Sequence, residues 1–239
     1  MAYCNDSRIT ECFGGKQLPK LWGEWTQDIK NEVTGYQTKV TLKRRTSKNG
    51  SLSEFTLQVH KAITSMLQDI FNEIASNPNV AIDNNYGGFF IRHMNSGSSS
   101  GNSYASIHST GCAVDVNFGV NPLHSNMSEA DTEFKMRTTS HPIVQAFMKR
   151  GFDWGGKWSN RDAMHFELSS RGSSGYSLGE ASSSMSSSNL GGGGGGYVSP
   201  GKYTPVEWAP PNDGGTKSFG LNNSKGSSGM VIGIHVNQK

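Results

Sequence analysis

The clearest periodic pattern in the chain lies between residues 55 and 74. Apolar residues recur there at spacings of three and four, as on one face of an α-helix; they are Phe55, Val59, Ile63, Met66, Leu67, Ile70, Phe71 and Ile74. Ser51 and Glu54 have capping-box spacing, and residues 77–79 (Asn-Pro-Asn) would end the helix. The pattern predicts an amphipathic helix with its apolar face in the core. His60, beside that face, is expected to be structural or exposed.

Shorter runs predict strands, because apolar and polar residues alternate in them or form brief apolar stretches between turn signals. The predicted strands are residues 38–42, 80–82, 89–92, 113–118 and 164–168. In the fourth of these, Asp115 falls on the opposite face from Val114 and Val116.

The segments between these strands are predicted to be turns and loops, with one more helix. Loops are expected at residues 84–88 and 95–105, and an aromatic turn at residues 152–158. A second helix is predicted over residues 142–150, with proline in its first turn and Gly151 at its end.

Composition divides the chain into a globular body and a poorly cored tail. Only 33% of the 239 residues are hydrophobic, and they concentrate before about residue 170. Beyond it, serine and glycine dominate, with six glycines at residues 191–196, so that segment cannot bury enough apolar surface to fold alone. The domain prediction is an N-terminal extension (1–50), a main globular domain (51–170), a Ser/Gly-rich linker (171–196) and a C-terminal attachment segment (197–239).

Charge and cysteine content exclude several classes. The net charge of +3 is only mildly basic, and residues 39–48 form the one Lys/Arg cluster, which is typical of a solvated hairpin rather than a nucleic-acid-binding face. No run approaches the roughly 20 apolar residues of a membrane span, and the first residues lack the apolar core of a secretory signal. Three cysteines do not make a disulfide framework. Cys4 and Cys12 could pair, but reduced thiols are expected.

Two separated motifs carry candidate chemistry. Residues 106–115 contain His108 and Asp115, and residues 162–167 contain Asp162 and His165. Two imidazoles and a carboxylate can bind zinc and leave a fourth position for water, whose pKa the metal lowers to about 7. Asp162, three residues before the last histidine, is a spare carboxylate that could transfer a proton.

Both motifs resemble those of the LAS-type zinc peptidases. The matching pattern is Ser-x-His-x-x-Gly-x-Ala-x-Asp, then Gly-Phe-x-Trp-Gly-Gly-x-Trp, then Asp-x-Met-His-Phe-Glu, and the resemblance covers roughly residues 55–169. The family includes D-alanyl-D-alanine carboxypeptidases, vancomycin-resistance dipeptidases and phage L-alanyl-D-glutamate endopeptidases. Asp162 stands where the phage endolysin branch has Asp rather than Glu.

The resemblance implies that His108, Asp115 and His165 bind one Zn²⁺ ion and that Asp162 is the general base. It also implies that Arg92 contacts the scissile carbonyl and stabilises the negative charge that develops there. A surface or capping carboxylate remains the alternative for Asp162, and a structural salt bridge the alternative for Arg92.

Three neighbours of these residues have open roles. Cys112 could add a fourth, inhibitory ligand, but burial at the strand edge is the preferred interpretation. Ser106 could hydrogen-bond near the site, and Glu167 is expected to be structural or to support a ligand.

The implied fold is α+β: a small antiparallel sheet with helices on one side and zinc in the cleft, followed by an irregular Gly/Ser-rich tail. The implied reaction is hydrolysis of a stem-peptide bond in bacterial peptidoglycan. The preferred setting is a bacteriophage virion, as a tail-associated lysin that opens the cell wall during DNA entry and contacts other phage tail proteins through residues 171–239. Alternatives are a soluble endolysin, a structural tail protein that keeps a peptidase-like wall-binding domain, and a D,D-carboxypeptidase acting on free stem termini.

Overall fold

The computed structural model describes residues 2–94 and 103–172. The helices are α1 (Ser7–Cys12), α2 (Gln27–Gly35), α3 (Thr64–Ser76) and α4 (Pro142–Met148), and the strands are β1 (Gln37–Arg45), β2 (Leu52–His60), β3 (Tyr86–Gly87), β4 (Ala113–Val116), β5 (Phe152–Trp154) and β6 (His165–Leu168). Short 3-10 helices cover Trp22–Glu24, Lys61–Ile63, Ile107–Thr110 and Gly155–Lys157. This confirms the α+β class, while the predicted tail after residue 172 and most of the predicted 95–105 loop lie outside the described residues.

Strands β1 and β2 form an antiparallel hairpin, with Leu42 opposite Phe55. The predicted strand at 38–42 is therefore confirmed. The prediction of helix from residue 55 is wrong, because Phe55, Leu57 and Val59 alternate with Thr56 and Gln58 along β2. Phe55, Leu57 and Val59 are all buried. Burial of every second residue is the pattern of a strand, whereas the helical spacing counts only Phe55 and Val59 and leaves Leu57 out.

The predicted helix is confirmed only in its second half, as α3. Its apolar face, which includes Met66, Ile70 and Phe71, is buried, and the Phe71 ring packs edge-on against Phe55 at a centroid distance of 5.2 Å. The predicted capping residues Ser51 and Glu54 lie instead at the turn and in β2.

The second sheet has four antiparallel strands in the order β3-β4-β6-β5. On one face, Val114 lies opposite Phe166, and Phe166 stacks on Phe147 of α4 with ring centroids 4.1 Å apart. Asp115 and His165 lie on the other face, because neighbouring residues in a strand point to opposite sides. The sheet thus has one apolar face against the helices and one polar face.

Helix α4 begins at its proline and Gly151 follows with φ = 86°, as predicted. His141 caps this helix by accepting the Ile143 amide proton on Nδ1.

Three further predictions need correction. Residues 80–82 are buried but form no strand, because their amides bond singly to separate segments, Ala81 to Glu133 O and Ile82 to Arg45 O. Residues 89–92 also form no strand, and β3 lies instead within the predicted 84–88 loop. The predicted aromatic turn begins with a strand, β5, before its 3-10 helix.

The N-terminal segment contributes to the same hydrophobic core as the later elements. Ile9, Phe13 and Val33 are buried in one cluster with residues of β4 and β6. The proposed boundary between residues 50 and 51 falls in the turn of the β1–β2 hairpin.

Cys4, Cys12 and Cys112 are all buried, and no disulfide joins them within the described residues. Among the described residues, the helices are too short or too polar to cross a bilayer.

Candidate metal centre

Three elements bring the predicted ligands together. Asp115 in β4 is the register partner of His165 at the start of β6, so both side chains project from adjacent positions on the polar face of the sheet. His108 comes from the 3-10 helix Ile107–Thr110. Ser106 Oγ accepts the His108 amide proton at the start of this helix, and Gly111 ends it with φ = 73°.

The three donor atoms form a nearly equilateral triangle. His108 Nε2 lies 3.1 Å from His165 Nδ1 and 3.2 Å from Asp115 Oδ1, and His165 Nδ1 lies 3.0 Å from Asp115 Oδ1. Zinc bonds of about 2.0–2.2 Å to nitrogen and oxygen in a tetrahedron give donor separations of about 3.3–3.6 Å, slightly wider than those observed. The donor set and its spacing therefore fit zinc with one position left for another ligand.

The histidine ring nitrogens that point away from the triangle each contact a protein oxygen. His108 Nδ1 lies 2.6 Å from the Gly88 carbonyl oxygen, and His165 Nε2 lies 3.2 Å from Glu167 Oε2. Each distal N–H can donate to an oxygen, which leaves the lone pair of the other nitrogen facing the triangle. Both histidines are thus oriented as metal ligands.

The titratable groups of the triangle interact strongly with one another. Burial alone would raise the pKa of Asp115, but the charge and hydrogen bonds of His108 and His165 hold it well below its usual range. Burial alone would lower the pKa of His165, but Asp115 and Glu167 raise it to about 10. Asp115 and Glu167 therefore favour positive charge at His165.

Asp162 lies beside the triangle rather than in it. Its backbone forms an isolated β-bridge with Leu123. The charges of His165, Asp115 and His108 all act on its carboxyl group. Burial raises the pKa of Asp162, with a partial opposing effect from His165. Within residues 2–94 and 103–172, its Oδ1 is buried without a hydrogen-bond partner.

Gly155 allows this close placement of Asp162. A Cβ on Gly155 would overlap the Asp162 carbonyl oxygen and lie 3.0 Å from the Asp162 Cβ. The Asp162 amide donates to the Gly155 carbonyl at 3.0 Å. The two backbones therefore touch, and glycine is required for the contact.

Arg92 lies near the same carboxyl, whose pKa its charge helps to lower. Its backbone is fixed by Ser106, whose amide donates to Arg92 O, and by Ser109, whose Oγ bonds both the Arg92 amide and carbonyl. In the part of the chain that the structure describes, its guanidinium forms no hydrogen bond or ion pair.

Glu167 contacts a predicted ligand, which is one of the roles expected of it from the sequence. It is fully buried, its Oε2 contacts His165, and its Oε1 accepts the Ala2 amide proton. Its spacing of two from His165 in a strand is the sequence signal, because such residues share a face. Cys112, by contrast, is fully buried and directs its thiol to the Thr110 carbonyl at 3.8 Å.

Comparison with known proteins identifies the domain. Residues 99–168 match the family model described as D-alanyl-D-alanine carboxypeptidase, and this range contains all three residues of the triangle and Asp162. No curated protein and no solved structure is detectably similar to the chain. Residues 99–168 therefore match a metallopeptidase domain of the D-alanyl-D-alanine carboxypeptidase family, a family of zinc-dependent enzymes, and the His108, Asp115 and His165 group lies within the match.

Proposed function

We propose that the protein hydrolyses a peptide bond in the stem of bacterial peptidoglycan, with one Zn²⁺ ion held by His108, Asp115 and His165. The observation that carries the proposal is the donor triangle of 3.0–3.2 Å with a separate carboxylate beside it, that of Asp162, whose Oδ1 is buried. Peptidoglycan is the substrate class because the matching family is described by its action on D-alanyl-D-alanine, the end of the stem peptide.

Zinc at this position would polarise the scissile carbonyl and lower the pKa of a water molecule. Asp162 would accept the proton of the attacking water and deliver it to the leaving amine. Its raised pKa suits both roles, because a carboxylate with a higher pKa is a better base and can hold the proton for longer. Arg92 donates to the carbonyl oxygen as negative charge develops there.

The test is digestion of purified peptidoglycan followed by mass spectrometry of the fragments. The wild-type protein is expected to release one class of product, and Asp162→Asn is expected to lose at least about 100-fold in rate while it retains zinc. Unchanged cleavage by Asp162→Asn would refute its assignment as the base. Absence of any cleavage by zinc-loaded wild type would refute the enzyme activity on this substrate and favour a wall-binding structural role.

The same experiment decides which bond is cut. The family description favours a carboxypeptidase, which would release free D-alanine from stem termini. The resemblance of Asp162 to the phage endolysin branch favours an endopeptidase, which would release a new amino terminus within the stem. We propose the endopeptidase, and release of D-alanine alone would contradict it.

We further propose that the protein is a tail-associated lysin of a phage virion. The Ser/Gly-rich composition of residues 171–196, followed by scattered aromatic residues, supports a linker and an attachment segment to other tail proteins. Proteomic detection of the full chain in purified phage particles is the expected result. Presence in the lysate but not in particles would support the alternative of a soluble endolysin.

A further inference from the structure

We propose that Cys12, His60 and Cys112 bind a second, structural zinc ion. Their candidate ligand atoms all lie within 4.8 Å of one another, and the group shares no residue with the candidate metal centre. Cys12 ends α1, His60 ends β2, and Cys112 directly precedes β4. Three elements far apart in sequence therefore bring together two sulfurs and an imidazole, a donor set that zinc prefers.

The surroundings of this group are those of a structural rather than a catalytic site. Cys12 is 8% exposed, and His60 and Cys112 are fully buried. Structural zinc sites are closed to solvent, whereas catalytic sites keep an open position. The His60 ring is held by Tyr36, stacked at 5.3 Å, and by Phe13, edge-on at 4.7 Å, so its orientation is fixed in advance.

Two polar atoms at this place point to a ligand. His60 Nε2 and Gln37 Oε1 are both buried without a hydrogen-bond partner among the described residues. Gln37 is the register partner of His60 and lies against Gly111, the residue before Cys112. Buried polar atoms are nearly always paired, so two unpaired atoms beside two thiols are unusual for a purely apolar core.

Zinc binding requires a defined movement of protons. In the metal-free protein, His60 Nδ1 accepts the Ala62 amide proton at 3.1 Å, which places the ring proton on Nε2. Binding at Nε2 moves that proton to Nδ1, and the Ala62 amide gives up this acceptor. Both thiols lose their protons to solvent on coordination, which compensates the charge of the ion.

The consequence would be a link between the N-terminal helix and the sheet that carries the candidate metal centre. Cys112 lies three residues before Asp115, so a zinc ion here would fix the start of β4 to α1 and β2. The simpler interpretation is a cluster of buried reduced cysteines, which behave as small apolar side chains.

Zinc content of the full-length protein tests the proposal. After dialysis against a weak chelator, the wild type is expected to hold about two zinc ions per chain, and Cys12→Ser and Cys112→Ser about one. Cys4→Ser is the matched control, because Cys4 is equally buried but belongs to neither group, and it should retain both ions. His108→Ala should lose the other ion, so failure at one site is distinguishable from failure at the other.

Two spectroscopic measurements on the wild type keep the test independent of how the variants fold. Cobalt substitution should produce a near-ultraviolet thiolate-to-cobalt band, and histidine ¹⁵N NMR should show one ring changing from the Nε2–H to the Nδ1–H form when zinc is added. A single zinc ion per chain with three reactive thiols and no such band would overturn the proposal. A single zinc ion with only one reactive thiol would overturn it in favour of a Cys12–Cys112 disulfide.

Discussion

At the scale of single residues, the candidate metal centre depends on the oxygens behind its histidines. The Gly88 carbonyl fixes His108 through Nδ1, and the buried carboxylate of Glu167 fixes His165 through Nε2. A backbone oxygen cannot be removed by mutation, but a carboxylate can. Glu167 is therefore the residue through which this orientation can be tested.

Replacement of Glu167 by alanine should weaken zinc binding at the centre by about 10- to 100-fold, the usual effect of losing such a support. Glu167→Gln should have a smaller effect, because an amide oxygen still accepts the Nε2 proton. Competition with a chromophoric chelator measures the affinity. Glu54→Gln, which changes an exposed carboxylate, is the control, and equal zinc affinity in all four proteins would show that Glu167 does not support the ligand.

At the scale of elements, the connection from β5 to β6 holds Asp162 beside the ligands. Asp162 is held there because the Gly155 backbone contacts it directly. The β4–β6 register separately places Asp115 opposite His165. The proposed base thus lies in a connection, whereas the ligands lie on β4, on β6 and on the 3-10 helix Ile107–Thr110, so base and ligands can be perturbed separately.

Gly155→Ala should displace Asp162 and leave the zinc ligands in place. A shift of about 1 Å in a catalytic group can cost on the order of 100-fold in rate, so we expect kcat/KM on peptidoglycan fragments to fall by about that factor with zinc content unchanged. Gly35→Ala is the matched control, since a Cβ there meets no atom within 4 Å. If both variants retain wild-type kcat/KM, close contact at Gly155 does not position the base.

The success of prediction from sequence differs between these elements. Local signals sufficed for α4, where a proline starts and a glycine follows the helix, and for the alternating residues of β4. They failed at residues 55–59, where Phe55 and Val59 fit both a helical stripe and a strand face, and only pairing with β1 decides. The resemblance of the two motifs singled out His108, Asp115 and His165, but the contact of Glu167 with His165 also depends on burial by the N-terminal segment.

At the scale of the whole molecule, the described residues share one core from Ala2 to Leu168. The family match begins only at residue 99, yet α1, the β1–β2 hairpin and α3 all pack into that core. The N-terminal half therefore supports the domain that carries the candidate centre. The buried His60, the last residue of β2, makes the stability of this core depend on pH.

Burial lowers the pKa of His60 from 6.5 to about 4, with Lys61 adding to the effect. As pH falls, His60 therefore takes up a proton in the unfolded chain before it does so in the folded protein. The folded protein keeps its full stability above about pH 6.5 and loses part of it as pH falls towards 4. Over that window, His60 should cost chelator-treated protein on the order of 3 kcal/mol of unfolding free energy. Urea titrations across pH should show a shallower dependence for His60→Gln, and an unchanged slope would contradict this assignment.

The central claim is that His108, Asp115 and His165 hold one zinc ion. Crystals of the zinc-loaded protein, measured on both sides of the zinc absorption edge, would locate the metal directly. We predict an anomalous peak about 2.0–2.2 Å from His108 Nε2, Asp115 Oδ1 and His165 Nδ1. Zinc-loaded crystals with no anomalous density among these three atoms would contradict the account.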